Sequence, residues 1–287
     1  MANKKYIGID IGGTKVYGIV FQNGEIIEEL RQKTPTNNWE EFLTNFVTSL
    51  KKDHNILGIG IAVAGALDET KSFVEKTPNI KNIIGVNFKK LLEDKFKIET
   101  KLENDANCFA WGEYLYGNGK GMKTVAVITL GTGLGTGLIL DNKLFSGSFG
   151  SAPEGGHNIV RAGGVKCRCG AKGCWEQYAS SQFFLRQMGN NPATVFQKAK
   201  DGNKQALKLW KFYGYWVGIG LATIGNMFEP EGIVIGGSIV RAWDFFAKDM
   251  ENTFRKTVFS PIASKKIKIL RAKLGIKAAA IGAARLF

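Results

Sequence analysis

One local order of elements, an apolar strand followed by a glycine-rich loop and a second strand, occurs twice in this chain. The first copy occupies residues 6–21, and the glycines of its loop are at positions 12 and 13. The second copy occupies residues 124–145 and has four glycines within 131–137. A repeated strand–loop–strand unit predicts a duplicated α/β fold whose two halves face each other across a cleft.

Alternating strands and helices are predicted for the rest of the chain. Apolar residues from Trp39 to Leu50 recur at helical spacing, which predicts a helix with one buried face. Further apolar runs predict strands at 57–63, 98–104 and 232–237, and a small-residue helix at 276–287. The 287 residues, of which 44% are apolar, are enough to bury a core in one large domain or two closely joined lobes.

A membrane or export role is not expected. Residues 212–228 lack charged side chains, but the stretch is at the short limit for a membrane span and contains several glycines. We interpret it as a buried core helix. The N-terminus enters a strand without an apolar leader, so we expect no signal peptide, a cytoplasmic protein and no membrane partner.

The charge of the chain is strongly positive, with a formal net value of +14. A basic chain can bind nucleic acid, an anionic membrane surface or an anionic substrate. Here the lysines are scattered in isolated pairs such as Lys51-Lys52 and Lys265-Lys266. This distribution favours a solvated cationic surface and no nucleic-acid partner, and it leaves a polyanionic phosphoryl donor open as an alternative.

The first glycine loop has the composition of a phosphate-binding turn. Gly12 and Gly13 follow a strand, and adjacent glycines let backbone N–H groups approach a phosphate without a Cβ clash. Thr14 adds a hydroxyl donor and Lys15 a positive charge, while Asp10 at the strand end could hold Mg²⁺. The alternative is a hairpin turn that is glycine-rich for conformational reasons alone.

The second glycine loop contains more glycines than a turn requires. Gly131, Gly133, Gly135 and Gly137 alternate with Thr132, Leu134 and Thr136. A hairpin needs only one or two glycines, so four indicate a backbone that faces a ligand. A flexible hairpin is the alternative, but two such loops after two apolar strands are more specific than either alone.

Asp105 is the candidate general base. It directly follows the strand predicted at 98–104 and opens a helix, and in open α/β folds the strand ends face the ligand cleft. A carboxylate there could accept the proton of a hydroxyl that attacks phosphorus. The alternative is that Asp105 serves as the N-cap of the helix, a role that Asp and Asn commonly fill.

A tetrahedral metal site is predicted between residues 157 and 174. His157, Cys167, Cys169 and Cys174 offer one nitrogen and three thiolates, a ligand set typical of structural Zn²⁺. A disulfide is the alternative, although Cys167 and Cys169 are too close in sequence to pair easily. We interpret Cys108, in an apolar helix, as a buried small residue.

Two glutamates flank the predicted metal site. Glu154 precedes His157 by three residues, and Glu176 follows Cys174 by two. A bound zinc ion would therefore fix two carboxylates, which are good acceptors for neighbouring sugar hydroxyls. The alternative is ordinary solvation at the surface, where most glutamates lie.

These motifs together resemble the ROK family of bacterial sugar kinases, within the actin-like ATPase superfamily. The resemblance covers nearly the whole chain, and the cysteine motif combined with both glycine loops is highly specific. The matching segments are DIGGTK (10–15), ENDAN (103–107), LGTGLGTG (130–137), EGGH (154–157), CRCGAKGCWE (167–176), EPEGIVIGG (229–237) and LGIKAAAIGAA (274–284).

The resemblance implies a two-lobe, ribonuclease H-like fold, with separate residues in the cleft for Mg²⁺, ATP and the sugar. The expected small lobe is 1–105 plus 275–287, and the expected large lobe is 106–274 with the zinc motif. Asp10 would help to hold Mg²⁺ and Asp105 would deprotonate the sugar 6-hydroxyl. The residues expected at ATP are Gly12, Gly13, Thr14, Lys15, Gly131, Thr132, Gly133 and Gly135 at the phosphates, with Gly236 and Gly237 near the adenosine.

The sugar side follows from the same resemblance. His157 would bind zinc through one ring nitrogen and face the sugar with the other. The residues expected at the sugar, in addition to Asp105, are Gly65, Asn79, Asn104, Glu154, His157 and Glu176. The substrate would be a hexose or N-acetylhexosamine, with glucose ranked first, and relatives imply a homodimer or homotetramer.

Three positions depart from the family pattern. Position 155 is Gly where a larger apolar residue is more frequent, position 136 is Thr where Gly is common, and position 175 is Trp where a smaller aliphatic residue is usual. No departure removes a chemical group, but each bears on which sugar fits. Some relatives are sugar-responsive repressors with an N-terminal DNA-binding module, for which we expect no room before DIGGTK.

Overall fold

The computed structural model describes residues 4–77 and 80–287. It is built from two main β-sheets with helices packed around and between them. The strands, in chain order, are β1 (Lys5–Ile11), β2 (Lys15–Gln22), β3 (Glu25–Lys33), β4 (Ile56–Val63), β5 (Ala66–Leu67), β6 (Val74–Lys76), β7 (Thr100–Asn104), β8 (Val125–Leu130), β9 (Leu134–Leu140), β10 (Lys143–Phe145), β11 (Gly232–Gly236) and β12 (Lys268–Arg271).

The helices are distributed unevenly between the two halves of the chain. Three precede the second sheet in the sequence, and the others in the described ranges lie between its strands or after them. They are α1 (Trp39–Lys51), α2 (Phe88–Phe96), α3 (Asp105–Tyr116), α4 (Glu176–Ala179), α5 (Ser181–Met188), α6 (Pro192–Lys200), α7 (Lys204–Phe228), α8 (Trp243–Thr257), α9 (Pro261–Lys266) and α10 (Ala278–Ala284).

The two five-stranded sheets have the same topology. The first has the strand order β3-β2-β1-β4-β7, and the second has the order β10-β9-β8-β11-β12. In each sheet the first three strands in sequence form an antiparallel meander, and the last two extend the sheet in parallel. This repetition confirms the duplicated α/β fold, and it places a glycine loop after the central strand of each sheet.

Small residues let two helices lie between the sheets. Helix α10 packs on β1 and β4 on one side and on α3 on the other. A Cβ at Gly60 would lie 1.9 Å from the Ala283 carbonyl oxygen, and one at Gly282 would lie 1.8 Å from that of Cys108. Only glycine permits backbones to approach this closely, so the small-residue composition of the C-terminal segment reflects its packing.

Local differences from the predicted elements occur at turns. The returning strand predicted at 138–145 is interrupted by Asp141 and Asn142, both with positive φ, and it forms the separate strands β9 and β10. The C-terminal helix spans only Ala278–Ala284, because a short 3₁₀ turn precedes it. Both boundaries depend on backbone geometry that hydrophobic periodicity does not report.

The apolar segment at 212–228 belongs to the core, as predicted. It forms the second half of α7, whose Trp210, Tyr213 and Val217 are fully buried in a cluster with α8. Within the described ranges, no helix is long and apolar enough to cross a membrane.

Candidate active site

The carboxyl ends of three parallel strands bring the predicted catalytic residues together. Strands β1, β4 and β7 are adjacent, and their register aligns Asp10 with Ala62 and Ala62 with Glu103. Asp105 follows immediately as the first residue of α3. Because parallel strands end at a common edge, Asp10 and Asp105 lie at the same edge of the sheet, as the sequence predicts.

Asn104, not Asp105, is the N-cap of α3. Its side-chain oxygen accepts hydrogen bonds from the N–H groups of Ala106 at 2.9 Å and Asn107 at 3.2 Å. Asp105 accepts one bond, from Ala106 N–H at 3.0 Å. Burial raises the pKa of Asp105, against the lowering effect of the backbone N–H of Ala106 and its own N–H. The capping alternative therefore applies to Asn104, and the carboxylate of Asp105 has the raised basicity that a proton acceptor needs.

Asp10 is electrostatically linked to Asp105. Burial raises the pKa of Asp10 to about 7, with a further contribution from the charge of Asp105 and an opposing one from Lys15. Two neighbouring, poorly solvated carboxylates form an oxygen-rich, electron-rich donor set that a divalent cation would neutralise. The residues present therefore fit the predicted Mg²⁺ site, with Asp10 as the residue that would hold it.

The first glycine loop is a tight connection between β1 and β2. Gly12 N–H donates to the Lys15 carbonyl at 3.1 Å, and the Thr34 hydroxyl donates to the Gly12 carbonyl at 2.6 Å. Both backbone polar groups of Gly12 are therefore used in hydrogen bonds that hold the conformation of the turn. Gly13, Thr14 and Lys15 are exposed on it, where their polar groups face solvent and are accessible to a phosphate.

The second glycine loop, 131–133, is held from two sides. Gly131 N–H donates to the Gly133 carbonyl at 3.0 Å, and Ser181 donates its N–H to Gly131 and its hydroxyl to Thr132. Glu176 accepts the N–H of Leu134 at 3.1 Å, and a Cβ at Gly133 would lie 2.7 Å from the same carboxylate oxygen. Glu176 is thus anchored beside this loop, with one carboxylate oxygen engaged by the backbone.

Two of the four glycines in LGTGLGTG have a packing role. Gly135 and Gly137 lie in β9 rather than in the loop. A Cβ at Gly135 would lie 2.7 Å from Cβ of Ala106, and one at Gly137 would lie 2.4 Å from Cβ of Ala110. The glycine repeat therefore combines a loop with a surface for α3, and the contact of Gly135 with a phosphate stays a prediction.

The turn after β11 borders the second loop. Gly237 has φ of 91°, and a Cβ there would lie 2.3 Å from the Leu130 carbonyl oxygen. Gly236 is buried against Phe109, and Gly131 faces Ser238. The predicted adenosine side, Gly236 and Gly237, is therefore continuous with the predicted phosphate side.

Several of the predicted sugar-side residues lie near Asp105. Asn104 Nδ2 donates to the Gly65 carbonyl at 3.1 Å, and Gly65 adopts a φ of 134° that favours glycine. Burial raises the pKa of Glu154; His157 opposes this shift, and the charges of Asp105 and Glu176 add to it. Asp105 and Glu176 are thus both within electrostatic reach of Glu154. Asn79 lies outside the described residues.

The predicted metal ligands form one cluster. One ligand atom from each of His157, Cys167, Cys169 and Cys174 lies within 4.8 Å of every other. The sulfurs of Cys169 and Cys174 are 3.5 Å apart, too far for a disulfide bond, and all four cysteines of the chain are free. This separation and the Cys₃His donor set fit a four-coordinate zinc ion.

The histidine of this cluster links it to the sugar side. His157 Nδ1 lies 3.8 Å from Cys167 Sγ, and Nε2 lies 3.9 Å from a carboxylate oxygen of Glu154. One ring nitrogen therefore faces the thiols while the other faces the predicted sugar pocket. This is the orientation that the double role of His157 requires.

Each of the three departures from the family pattern packs against a residue of complementary size. The Thr136 hydroxyl donates to the Pro153 carbonyl and accepts Gly155 N–H, each at 2.9 Å. A Cβ at Gly155 would lie 2.9 Å from Cγ2 of Thr136. Trp175 is buried where Gly220 leaves space, since a Cβ there would lie 1.9 Å from the indole ring. The sequence shows each departure as a separate position. Only the structure shows that Thr136 contacts Gly155 and that Trp175 contacts Gly220.

The Thr136–Gly155 contact predicts coupled effects of substitution. We expect Gly155→Ala to destabilise the protein by about 1–3 kcal/mol, because the new methyl group clashes with Thr136 Cγ2. Thr136→Ser removes that methyl group and keeps the hydroxyl, so the double variant should recover more than half of the loss. Thermal unfolding of the four proteins measures the coupling. Equal destabilisation by Gly155→Ala in both backgrounds would contradict this explanation.

Comparison with known proteins finds relatives along nearly the whole chain. A glucokinase of Streptomyces coelicolor is 34% identical, with 98% of this chain and 96% of the relative covered. A xylose repressor of Bacillus spizizenii is 30% identical, with 96% of this chain and 75% of the relative covered. The crystal structure of a ROK family glucokinase from Streptomyces griseus in complex with glucose and AMPPNP superimposes with a TM-score of 0.85, at 32% identity over 98% of each chain. The ROK family profile matches residues 6–287, and the chain therefore belongs to the ROK family.

Proposed function

We propose that the protein is an ATP-dependent hexose kinase that phosphorylates the 6-hydroxyl of its sugar, with glucose as the favoured substrate. The observation that carries this proposal is the state of Asp105. Its side chain is half-buried, desolvation raises its pKa, and the capping of α3 is performed by Asn104. A carboxylate with these properties between two glycine loops and a set of sugar-side acceptors is suited to receive a hydroxyl proton.

The remaining residues divide into phosphate-side and sugar-side roles. Thr14 and Lys15 on the first loop and the backbone of the second loop would bind and orient the ATP phosphates. Mg²⁺, held by Asp10, would neutralise phosphate charge when bound. Asn104, Glu154 and His157 would orient the sugar, so that its 6-hydroxyl donates a proton to Asp105.

The two halves would close on their substrates. We propose lobes of residues 1–105 plus 275–287 and of residues 106–274, with the cleft between these lobes as the site that closes. Closure excludes water, which would otherwise compete with the sugar as phosphoryl acceptor.

The three thiols of the Cys₃His cluster must be reduced to bind zinc, which supports a cytoplasmic location.

The choice of glucose is supported by the relatives. Glucokinases are among the most similar curated proteins, and the Streptomyces griseus structure contains glucose and AMPPNP. N-acetylglucosamine, N-acetylmannosamine, mannose and fructose are the alternative substrates of the same class. Polyphosphate is the alternative donor, since the chain carries a net charge of +14 and resembles in fold a polyphosphate/ATP-glucomannokinase.

A non-catalytic sugar-responsive regulator is the second candidate function. Its support is the 30% identity to the xylose repressor across nearly the whole of this chain. Such a protein would need the sugar-side residues but not a general base. The retention of Asp105 with a raised pKa favours catalysis over this alternative.

An ADP-release assay with a panel of sugars tests the proposal. We expect ADP release that depends on the sugar. Its kcat/KM should be highest with glucose, compared with N-acetylglucosamine, N-acetylmannosamine, mannose and fructose. A parallel series with polyphosphate as donor identifies the phosphoryl source. Calorimetric binding of a hexose without any sugar-dependent turnover would contradict the kinase and favour the regulator.

A further inference from the structure

Glu103 is a buried carboxylate for which the proposed mechanism has no use. It ends β7 beside Asn104 and is only 4% exposed. One carboxylate oxygen accepts the N–H of Asn104 at 2.9 Å and the side-chain amide of Asn107 at 3.1 Å. The other oxygen forms an ion pair with Lys71 and lies 3.5 Å from the hydroxyl of Ser146. Four groups from three segments therefore meet at this carboxylate.

Lys71 reaches Glu103 from a rigid turn. The carboxylate of Asp68, itself 6% exposed, accepts the N–H groups of Thr70, Ser72 and Phe73 at 2.6–2.9 Å. Burial alone would raise the pKa of Asp68, but these hydrogen bonds hold it below its ordinary value. Lys71 has a φ of 51° in this turn, and its N–H donates to the Asp68 carbonyl at 2.9 Å, so the turn itself holds the Lys71 backbone.

The segment 146–153 reaches the same junction from the second half of the chain. Asn107 Nδ2 donates to both Glu103 and the Ala152 carbonyl, at 3.1 Å each, and these two acceptors fix the orientation of the amide. A Cβ at Gly150 would lie 3.2 Å from Cε of Lys71, so the segment contacts the lysine directly. This segment leads into Glu154, one of the sugar-side carboxylates.

Lys71 supplies positive charge to an otherwise acidic cluster. Burial and then the charges of Glu103, Asp10 and Asp105 raise the pKa of the Cys108 thiol, and the charge of Lys71 opposes them. The three carboxylates therefore surround one buried point. Removing Lys71 would leave Glu103 as an unpaired buried charge, which is strongly unfavourable.

We propose that Lys71 and Glu103 are positioning residues, a pair that fixes the sugar-binding residues on the two halves of the chain relative to each other. Glu103 holds the β7–α3 corner, which carries Asn104 and Asp105, and through Asn107 and Lys71 it holds the segment that carries Glu154. Neither residue touches the sugar. The inference rests on the proposed function, because it assigns the pair to the hexose side of that site and not to the ATP side.

The test compares Lys71→Met, Glu103→Gln and the double variant in the ADP-release assay. We expect each single change to raise the hexose KM by about tenfold or more, because small misplacements of orienting groups have large effects. The KM for ATP should stay within about twofold, since the phosphate loops are held by other contacts. The double variant should recover part of the loss, because it leaves no unpaired buried charge.

Two control variants separate positioning from general stability. Lys52→Met removes the ion pair between Lys52, which directly follows α1, and Glu28 in β3. Glu113→Gln alters a second fully buried carboxylate, which accepts backbone N–H groups of Asn118, Lys273 and Leu274 near the other end of α3. Thermal unfolding of every variant reports its stability. We expect Glu113→Gln to lower the melting temperature while the hexose KM stays within about twofold.

The outcomes are distinguishable. Hexose KM values in Lys71→Met and Glu103→Gln within twofold of the wild type, or an equal rise in both substrates' KM values, would overturn the inference. A rise in hexose KM for Glu113→Gln as large as for Glu103→Gln would also overturn it. A wild-type protein without sugar-dependent ADP release would contradict the proposed function itself, and the inference with it.

Discussion

Asp105→Asn should lower kcat by about three orders of magnitude while the hexose KM changes by less than about threefold. The asparagine keeps the size of the side chain and an oxygen that can accept the hydrogen bond from Ala106 N–H. What it loses is the ability to accept the proton of the attacking hydroxyl. Hexose binding is therefore retained, whereas the rate of phosphoryl transfer falls. Initial rates of ADP release over a range of sugar concentrations measure both constants.

The pH dependence of the wild-type enzyme provides a second measurement of the same group. A general base works only when deprotonated, so kcat/KM falls as the pH drops through its pKa. Because burial raises the pKa of Asp105, the acidic limb should lie above the ordinary range of an aspartate. The residual activity of Asp105→Asn should lack the contribution of Asp105 to this limb, so that only the titration of Asp10 remains.

A surface variant controls for the chemistry of the substitution. Asp94→Asn makes the same change on the exposed side of α2 and should leave both constants unaltered. If Asp105→Asn retained more than about a tenth of the wild-type kcat, the assignment of Asp105 as general base would be wrong.

Cys174→Ala should remove zinc from the protein and destabilise it by about 3 kcal/mol or more, roughly a 10 °C fall in melting temperature. Cys174 is fully buried and contributes one of the three sulfurs of the cluster. Without a metal, no coordination bonds hold together the turns that carry these sulfurs. We also expect weaker hexose binding, because the cluster positions His157 and the adjoining Glu154 and Glu176.

Cys108→Ala is the matched control for this prediction. Cys108 is equally buried but lies in α3, outside the cluster. It should retain one zinc per chain, measured by elemental analysis, and the hexose affinity of the wild type. A wild-type protein that contains no zinc after purification without chelators, or a Cys174→Ala variant with its full complement, would contradict the metal assignment.

The residue types in the sequence were sufficient to find the main elements of the site. The two strand–loop–strand units predicted the duplicated sheets. This was possible because a strand and the glycine turn after it are recognised from residues that are adjacent in the sequence. The spacing of Cys167, Cys169 and Cys174 predicted the metal cluster, since ligands close in sequence need only a few turns to meet. The position of Asp105 after a strand placed it at the edge of the sheet.

Two features of the site could not be predicted in this way. The capping of α3 by Asn104 rather than Asp105 depends on a single residue of register at the strand end. Gly135 and Gly137 look like loop glycines in the sequence, but they leave space for α3. In both cases the decisive partner is a backbone or side-chain atom whose position is set by the fold.

The sequence by itself determined the fold class, the two loops, the metal ligands and the candidate base, because each depends on neighbours within a short stretch of chain. The tertiary structure alone decided the role of Glu103, which meets Lys71 and Ser146 across 32 and 43 residues, and the coupling of Thr136 to Gly155. The physical reason is that steric fit and charge pairing act between atoms in space, and a one-dimensional pattern does not record those distances.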